Sequence, residues 1–502
     1  MSDLMKKTRK SSLITFPAQI VNRAIGILYA VVLARGLSVE QFGIYSFVVG
    51  ALLVFGFLCN FGLAASLVRF IAEYAKLERF GILLKTVVFA HLFRFFMSIL
   101  ALGSAYLWFP YWADTFGLIE YKQEFFLFSI GAFFLFQLEY FQVEFNAVFL
   151  HWASSIMQLL YGCLKFIIAI IMLSNGAELA GLLAAEAAAY LTAFIFACYV
   201  FMKHMFFPYK SELKNTEPIE YARLGRYSGL SALIIPGNIM YSRSMDFFVI
   251  AAMANPYQLG LYALGSRVSR MLNSIMPQVI MQGVFRPVFF HRYYDVEDKA
   301  KELERMWNTL VRLIALCLFP SVILLMILAQ PVINVVFGAE YIEAAATLQL
   351  LVGLSIFTCL EFPSDMVLQA IEKVEARLYA QIFAIYNVVA AIMLFPRFGI
   401  LGVAFATGTA SIFKCLFFAY MARHYTGLSI KLKPLLQVAF NAMLAGLVSY
   451  GIISKGADIF YLLLSISGGL ITYAMLTWFN NYMSQEEKKM ANQLLKRKIF
   501  DV

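Results

Sequence analysis

Two short stretches of this chain are close copies of each other, and they decide how its helices are organised. The first is Glu40-Gln41-Phe42-Gly43-Ile44-Tyr45, and the second, in the later half of the chain, is Tyr257-Gln258-Leu259-Gly260-Leu261-Tyr262. The same register, without a gap, places Arg69 opposite Arg286. A slightly longer offset pairs Phe116-Gly117 with Phe337-Gly338, and Gly181 with Gly402. Chance alignment of Gly and Tyr is the alternative, and agreement at four separate places favours a true internal repeat.

The composition around these stretches is that of a membrane protein. Of 502 residues, 62% are apolar and 14% are charged, and the mean hydropathy is +0.76. Soluble proteins are about 45–50% apolar and about 25% charged, so a cytosolic enzyme is excluded. Because one transmembrane helix takes about 20 apolar residues, we predict an all-α polytopic membrane protein with about fourteen transmembrane helices and short loops.

Hydropathy, loop residues and prolines give the bounds of these predicted spans. They are 12–33, 42–63, 83–108, 125–150, 154–173, 179–202, 229–253, 258–283, 308–330, 345–370, 378–396, 400–422, 434–453 and 459–480. The repeat then relates spans one to six to spans seven to twelve. We therefore predict an N-terminal lobe over 1–202, a cytoplasmic connection over 203–228, a C-terminal lobe over 229–424, and two final helices with a basic tail over 425–502. An even number of spans per unit predicts a parallel repeat.

The distribution of basic residues predicts the orientation in the membrane. The net charge is +10, and most of the 40 Lys and Arg residues fall in loops on one side if the N-terminus is cytoplasmic. The loops of the other side carry Arg35, Lys122, Arg397 and Lys455. Short cytoplasmic loops collect Lys and Arg, so we predict a multi-pass protein of the inner (cytoplasmic) cell membrane with both termini in the cytoplasm.

The cations that remain lie inside predicted spans, where a charge is costly unless it faces a cavity or a partner. They are Arg23, Arg94, Lys165, Arg243, Arg267, Arg270, Arg312 and Lys414. Three predicted helices carry polar stripes at helical spacing. Asn22 and Arg23 lie on the stripe of span one. Asn238 and Asp246 share the stripe of span seven, with Arg243 one turn from Asp246, and Arg267, Arg270 and Asn273 lie on the stripe of span eight.

These stripes predict a central cationic cavity for an anionic ligand, because Arg binds phosphate and carboxylate oxygens in a bidentate manner. The candidate binding residues are Arg23, Arg243, Arg267, Arg270, Asn22, Asn238 and Asn273, with Asp246, Lys165 and Lys414 as charge-partner or coupling residues. Purely structural bonds are the alternative, for instance an Arg243–Asp246 pair. Glu139, Glu144, Glu186, Glu361 and Asp365 are open as partners of Lys165 or Lys414, or as proton carriers.

Motifs for catalysis are missing from the sequence. It contains no GxxxxGK[ST] phosphate loop, no HExxH and no GxSxG. The six cysteines lack metal-site spacing, and the basic loops are explained by topology and anionic lipid. We therefore predict a protein that is not an enzyme, with no catalytic residue, no cofactor, no metal and no nucleic-acid partner.

A longer stretch around the first copy resembles a known family. Residues 33–45, followed by Asn60-Phe61-Gly62-Leu63 and by residues 67–74, are similar to the opening of the Wzx-type flippases for polysaccharide and O-antigen units, which belong to the multidrug/oligosaccharidyl-lipid/polysaccharide (MOP) exporter superfamily. Residues 337–341 and 398–404 resemble later landmarks of that family.

The resemblance implies two six-helix lobes in a MATE-like V shape. It also implies translocation of polyprenyl-diphosphate-linked oligosaccharides from the cytoplasmic to the outer leaflet, for lipopolysaccharide and other cell-surface polysaccharides. The implied partners are the lipid-linked oligosaccharide, membrane lipids, and polysaccharide polymerase and chain-length machinery. Two alternatives stay open: a cation-coupled multidrug exporter of the same superfamily, and a non-transporting membrane scaffold for glycan assembly.

Overall fold

A computed structural model describes most of the chain: residues 2–215, 218–233, 235–280, 285–286, 289–290, 292–293, 296–373, 375–456, 458–480 and 482. The regular structure in these ranges is helical, and they contain no β-strand. The predicted all-α fold is therefore confirmed.

The α-helices of four or more residues are numbered here in chain order. They are α1 (Ser2–Gly36), α2 (Val39–Asn60), α3 (Leu63–Lys76), α4 (Phe80–Leu107), α5 (Phe109–Ala113), α6 (Lys122–Ala147), α7 (His151–Ser174), α8 (Leu179–Phe201), α9 (Tyr221–Ala232), α10 (Ile235–Met240), α11 (Arg243–Met253), α12 (Pro256–Ser274), α13 (Pro277–Ile280), α14 (Lys299–Ile327), α15 (Ala329–Val332), α16 (Ala344–Leu354), α17 (Glu361–Ala370), α18 (Ala376–Tyr379), α19 (Ile382–Thr426), α20 (Leu432–Ile453) and α21 (Ile459–Phe479).

Eleven helical segments of the described chain are long and apolar enough to cross a membrane. One of them, Ala376–Thr426, spans 51 residues and contains predicted spans eleven and twelve, with a break in helical geometry at Gly399 (φ 55°, ψ −140°). The remaining difference from fourteen comes from predicted spans seven and eight. The chain is thus a multi-pass membrane protein, and the predicted count of about fourteen fits its helices.

Predicted spans seven and eight are broken into short helices. Span seven becomes α9, which ends at Ala232, α10, which begins at Ile235, and α11, which follows α10 after residues 241–242. Span eight becomes α12 followed by α13. Pro277 begins α13. Proline lacks a backbone N–H and interrupts a helix, whereas Pro17 and Pro320 lie inside continuous helices.

The repeated motif starts a helix in both copies in the same way. Ser38 caps α2: its Oγ accepts the N–H of Gln41 at 3.2 Å, and the Gln41 side chain accepts the N–H of Ser38 at 3.2 Å. In the second copy, Asn255 Oδ1 accepts the N–H of Gln258 at 2.9 Å. Both side chains satisfy an N–H that a helix start leaves without a partner. Asn255 is the equivalent of Ser38 in the register of the repeat, so the repeat extends to its caps.

The helices pack into two compact units, Met1–Ala263 and Leu264–Val502. In the first unit α8 packs against α6 and α7, α1 packs against α7, and α2 packs against α11. In the second, α20 packs against α14 and α21, and α19 packs against α16 and α17. The second core includes the fully buried Trp307, whose indole N–H donates to Ser364 Oγ at 3.0 Å. The four-part domain division predicted from the sequence stays a prediction.

Candidate functional site

The predicted binding residues of the first unit lie on α1, α10 and α11. Arg23 is half-buried in α1. Its neighbour Asn22 lies against α7, because its Oδ1 atom is 2.8 Å from where a Cβ atom on Gly162 would stand. Arg243 is half-buried as the first residue of α11, and Asn238 is exposed on the short α10. These side chains are therefore set on helices of different length and continuity.

Asp246 is a buried carboxylate one turn into α11. It is 1% exposed, and the hydroxyl of Tyr262 donates to its Oδ2 atom at 2.6 Å. A hydrogen bond to a charged acceptor is about twice as strong as one between neutral groups. The tyrosine therefore ties α12 to α11 next to Arg243. The role of Asp246 as a charge partner or coupling residue stays a prediction.

The predicted binding residues that follow share one helix. Arg267 is half-buried, Arg270 is exposed and Asn273 is half-buried, all on the part of α12 that belongs to the second unit. Residues three apart on a helix are neighbours on its surface, so the structure keeps these three on a common side of α12, as the spacing predicted. Their assignment to a ligand stays a prediction.

Glu186 on α8 forms a buried hydrogen-bond site in the first unit. It is 1% exposed, and the hydroxyls of Tyr29 and Tyr45 both donate to its Oε1 atom, at 2.5 Å and 2.6 Å. Lys165 Nζ lies 4.4 Å from the centre of the Tyr29 ring. The site joins α1, α2, α7 and α8, and it places the predicted coupling residue Lys165 beside the ring whose hydroxyl binds the carboxylate.

Lys414 has a carboxylate partner in the second unit. Its Nζ lies 2.6 Å from Glu361 Oε1, and the Cys415 thiol lies 3.8 Å from the other oxygen. One turn from Glu361, Asp365 receives a bidentate hydrogen bond from Arg377, with both distances 2.7 Å. Glu361 was one of the partners that the sequence left open for Lys414.

Two further pairs join α4 to α6. Arg94 is fully buried and donates to the Gly56 carbonyl at 2.7 Å and to Glu139 at 2.9 Å. His91 Nε2 lies 2.9 Å and 3.0 Å from the two oxygens of the fully buried Glu144. These contacts explain the two acidic residues of predicted span four, and they make Arg94 a structural residue.

An apolar cavity of about 490 Å³ lies within the first unit. Its lining residues are Ala51, Phe55, Ser104, Ala105, Trp108, Trp112, Phe116 and Phe248. Its polar side chains bond to backbone: Trp112 Nε1 donates to the Ala105 carbonyl and Ser104 Oγ to the Ala101 carbonyl, both at 2.9 Å. The walls thus present hydrocarbon and aromatic rings.

A comparison with protein families decides the classification. The profile of the family described as "Polysaccharide biosynthesis protein" matches residues 32–346, more than half of the chain. The chain belongs to this polysaccharide biosynthesis family. The match begins in α1 and includes both copies of the repeated motif. A search of curated protein sequences found no match.

Solved structures share the fold of this polysaccharide biosynthesis protein. The lipid II flippase MurJ in an inward closed conformation has a TM-score of 0.72 at 15% identity, covering 94% of this chain and 99% of that chain. An inward-facing MATE family multidrug transporter of the MOP superfamily has a TM-score of 0.66 at 14% identity, with coverages of 81% and 94%. A MOP superfamily transporter from Pyrococcus furiosus, described by a reversed polarity of its binding pocket, has a TM-score of 0.52 at 14% identity, with coverages of 83% and 96%. The predicted superfamily resemblance is confirmed.

Sequence reasoning left out several residues that the structure makes prominent in this family member. Tyr29, Tyr45 and Tyr262 hold buried carboxylates, although the sequence shows them as ordinary aromatic residues of apolar helices. The internal repeat could have identified two of these tyrosines, since Tyr45 and Tyr262 occupy equivalent positions in it. Among the described residues, no group of three or more His, Cys, Asp or Glu side chains is placed to hold a metal ion.

Proposed function

We propose that this polysaccharide biosynthesis protein is a flippase that moves polyprenyl-diphosphate-linked oligosaccharide units from the cytoplasmic to the outer leaflet of the cell membrane, by alternating access. Arg23, Arg243, Arg267 and Arg270 bind the diphosphate and acidic sugars, and Asn22, Asn238 and Asn273 bind sugar hydroxyls. Both termini lie in the cytoplasm in this proposal, and polysaccharide polymerase and chain-length machinery take up the product.

The main support for this proposal is that the helices between residues 221 and 280 are short or interrupted. They are the part of the predicted spans that fails to form long apolar helices, and they carry Arg243, Arg267 and Arg270. Interrupted membrane helices are typical of substrate sites in transporters, and charged side chains in a membrane line cavities or meet partners. Lipid would therefore solvate this segment poorly, and a bound anion would suit it.

The carboxylates of the spans favour an anionic ligand over a cationic drug. Glu186 and Asp246 accept tyrosine hydroxyls, Glu144 contacts His91, and Glu139 contacts Arg94. In the second unit, Glu361 and Asp365 contact Lys414 and Arg377. Carboxylates with such local partners are poor candidates for an acidic drug-binding surface.

The test measures binding and transport in proteoliposomes. The probe is a fluorescent polyprenyl-diphosphate disaccharide, and the variants are Arg243→Gln and Arg270→Gln. Hydrogen bonds to charged groups contribute about 1.5–3 kcal/mol, so each variant should weaken binding by roughly 10- to 100-fold and slow transport in proportion. Arg397→Gln removes the same charge from an exposed position and should change neither value.

Full transport by a variant with all four arginines replaced by Gln would disprove the site assignment. Transport of a cationic dye with no transport of the lipid-linked sugar would favour the multidrug exporter. Binding of the lipid-linked sugar without any transport would favour the scaffold.

A further inference from the structure

The short helix α3 packs against α9 along a seam that the proposed substrate site leaves unexplained. One side of the seam is formed by Gly62, directly before α3, and by the α3 residues Ser66, Arg69, Phe70 and Glu73, all at the three- and four-residue spacing of one helix face. The α9 residues are Arg223, Tyr227, Ser228 and Ala232. Both sides belong to the first unit.

The base of the α3–α9 seam is a close backbone contact. A Cβ atom on Gly62 would stand 2.3 Å from the Ser228 carbonyl oxygen and 2.8 Å from the Ala232 nitrogen. Gly62 also has φ +72°, a conformation that favours glycine. One turn further, the hydroxyls of Ser66 and Ser228 lie 2.7 Å apart, and both residues are buried.

The tip of the seam is made by two arginines. Arg223 lies 2.9 Å from Glu73, and its guanidinium stands 4.9 Å from the centre of the Phe70 ring. Arg69 stands 4.8 Å from the centre of the Tyr227 ring. The hydrogen bond to Glu73 raises the pKa of Arg223 above its ordinary value. The ion pair is part-exposed, with side-chain exposures of 40% and 30%.

The ion pair, the cation–π contacts and the serine contact of the seam are weak enough to break and re-form. Exposed ion pairs and cation–π contacts at the surface are individually weak, and the serine pair is a hydroxyl contact that water can replace. The α3 side of the seam also begins at a point where the backbone can bend. The left-handed residues Phe61 and Gly62 join α2 to α3. The short α3 can therefore turn without distorting the long α2 attached to it.

We propose that the α3–α9 seam is a latch that closes the substrate passage on the side predicted to be cytoplasmic, and that it opens once in each transport cycle. The latch rests on the transport function proposed above, because a scaffold would have no need to open it. The basic residues near it, Lys76 and Arg79, belong to the loop that the cation distribution assigns to the cytoplasm.

The first experiment measures latch opening without substrate. A Ser66→Cys thiol is labelled with a maleimide, and the labelled peptide is quantified by mass spectrometry, so the native cysteines stay in place. Adding Arg223→Glu should raise the labelling rate by about 2- to 5-fold or more, since the loss of an exposed pair gives that factor and repulsion from Glu73 adds to it. Adding Glu73→Arg to this variant should restore the slow rate. An unchanged rate in Arg223→Glu would overturn the latch.

The second experiment locks the seam. Oxidation of a Ser66→Cys/Ser228→Cys variant should abolish transport of the polyprenyl-diphosphate disaccharide, and a reductant should restore it. The control pair, Ser449→Cys/Ser465→Cys, joins α20 to α21 where Ser449 donates to the Ser465 carbonyl at 2.8 Å, and it should transport at the same rate in both states. Transport by the oxidised seam variant would disprove the latch. Seam labelling that responds to Arg223→Glu in a protein that moves no lipid-linked sugar would disprove the proposed function, and with it the role of the seam in transport, while showing that the seam itself opens.

Discussion

The two copies of the repeated motif are alike in backbone and different in what their tyrosines hold. Both copies start a helix with a side-chain cap, and their glycines meet: a Cβ atom on Gly43 would stand 2.3 Å from the Pro256 carbonyl oxygen, and one on Gly260 would stand 2.0 Å from the Val39 carbonyl oxygen. Beyond the glycines the copies diverge. Tyr45 donates to Glu186 of α8, whereas Tyr262 donates to Asp246 of α11.

The register of the repeat identifies the position at which the two copies differ. Asp246 and Tyr29 occupy equivalent positions, at the same offset that pairs Tyr262 with Tyr45. In the first copy this position is a tyrosine that helps Tyr45 hold a distant carboxylate. In the second copy the position is itself the carboxylate. The comparison shows that the repeat preserves a tyrosine-to-carboxylate bond between helices while it changes which helix supplies the acid.

The largest expected effect is at the contact between the two glycines. Gly260→Ala places a methyl group against backbone atoms that no rotamer change can move, and overpacking of this kind costs about 1–3 kcal/mol or more. We expect a loss of about 3 kcal/mol or more in the free energy of unfolding in detergent micelles, or no folded protein. Gly43→Ala should behave similarly because its contact is also with backbone.

Gly103→Ala is the matched control, since a Cβ atom there meets nothing within 4 Å. Its free energy of unfolding should stay within about 0.5 kcal/mol of the parent value. A stable Gly260→Ala variant would show that the two copies do not depend on this close approach.

An effect of comparable or slightly smaller size is expected at the acceptor of the first copy. Glu186→Ala leaves the buried hydroxyls of Tyr29 and Tyr45 without their acceptor, and each unsatisfied buried group costs about 1–3 kcal/mol. We expect a decrease of about 2–5 kcal/mol in the free energy of unfolding, measured by denaturant titration. Glu186→Gln keeps a carbonyl oxygen and should lose less than half as much. Equal losses for both variants would mean that packing, and not the hydrogen bonds, makes Glu186 important.

The smallest effects are expected at the tyrosines, and the size of the effect should differ between the two copies. Tyr262→Phe removes a charge-assisted bond to Asp246, so the free energy of unfolding should fall by about 1.5–3 kcal/mol. Tyr45→Phe should cost about 1 kcal/mol or less, because Tyr29 still donates to the same oxygen of Glu186. Thermal unfolding followed by intrinsic fluorescence would measure both. A larger loss for Tyr45→Phe than for Tyr262→Phe would contradict the view that the first carboxylate is held twice.

The sequence predicted the helices well because apolar runs of membrane length are local signals. Val39–Asn60 and Ile459–Phe479 lie close to their predicted spans. The sequence could not predict the breaks in spans seven and eight. Pro236 and Pro277 look the same in sequence as Pro17 and Pro320, which lie inside continuous helices. Whether a proline breaks a membrane helix depends on neighbours that can satisfy the freed backbone groups.

The candidate site shows the same limit. The sequence identified Arg94 as a cation inside a span but could not tell ligand from partner, because its partner Glu139 lies on a different helix. Lys414 and Glu361, which also lie on different helices, were named only among several possible pairings. Long-range pairs of this kind are set by how helices pack. The ligand-binding roles of Arg23, Arg243, Arg267 and Arg270 are therefore a proposal, which the transport experiment tests.

The Arg94–Glu139 and His91–Glu144 pairs also bear on how the chain enters the membrane during synthesis. An arginine at the centre of a lone helix costs about 2.5–3.5 kcal/mol on insertion scales, and α4 would carry that cost until α6 is made. Both pairs link the same two helices. We therefore expect α4 to be retained by the insertion machinery until α6 arrives, so that the two helices enter the bilayer together as a hairpin with their charges already matched.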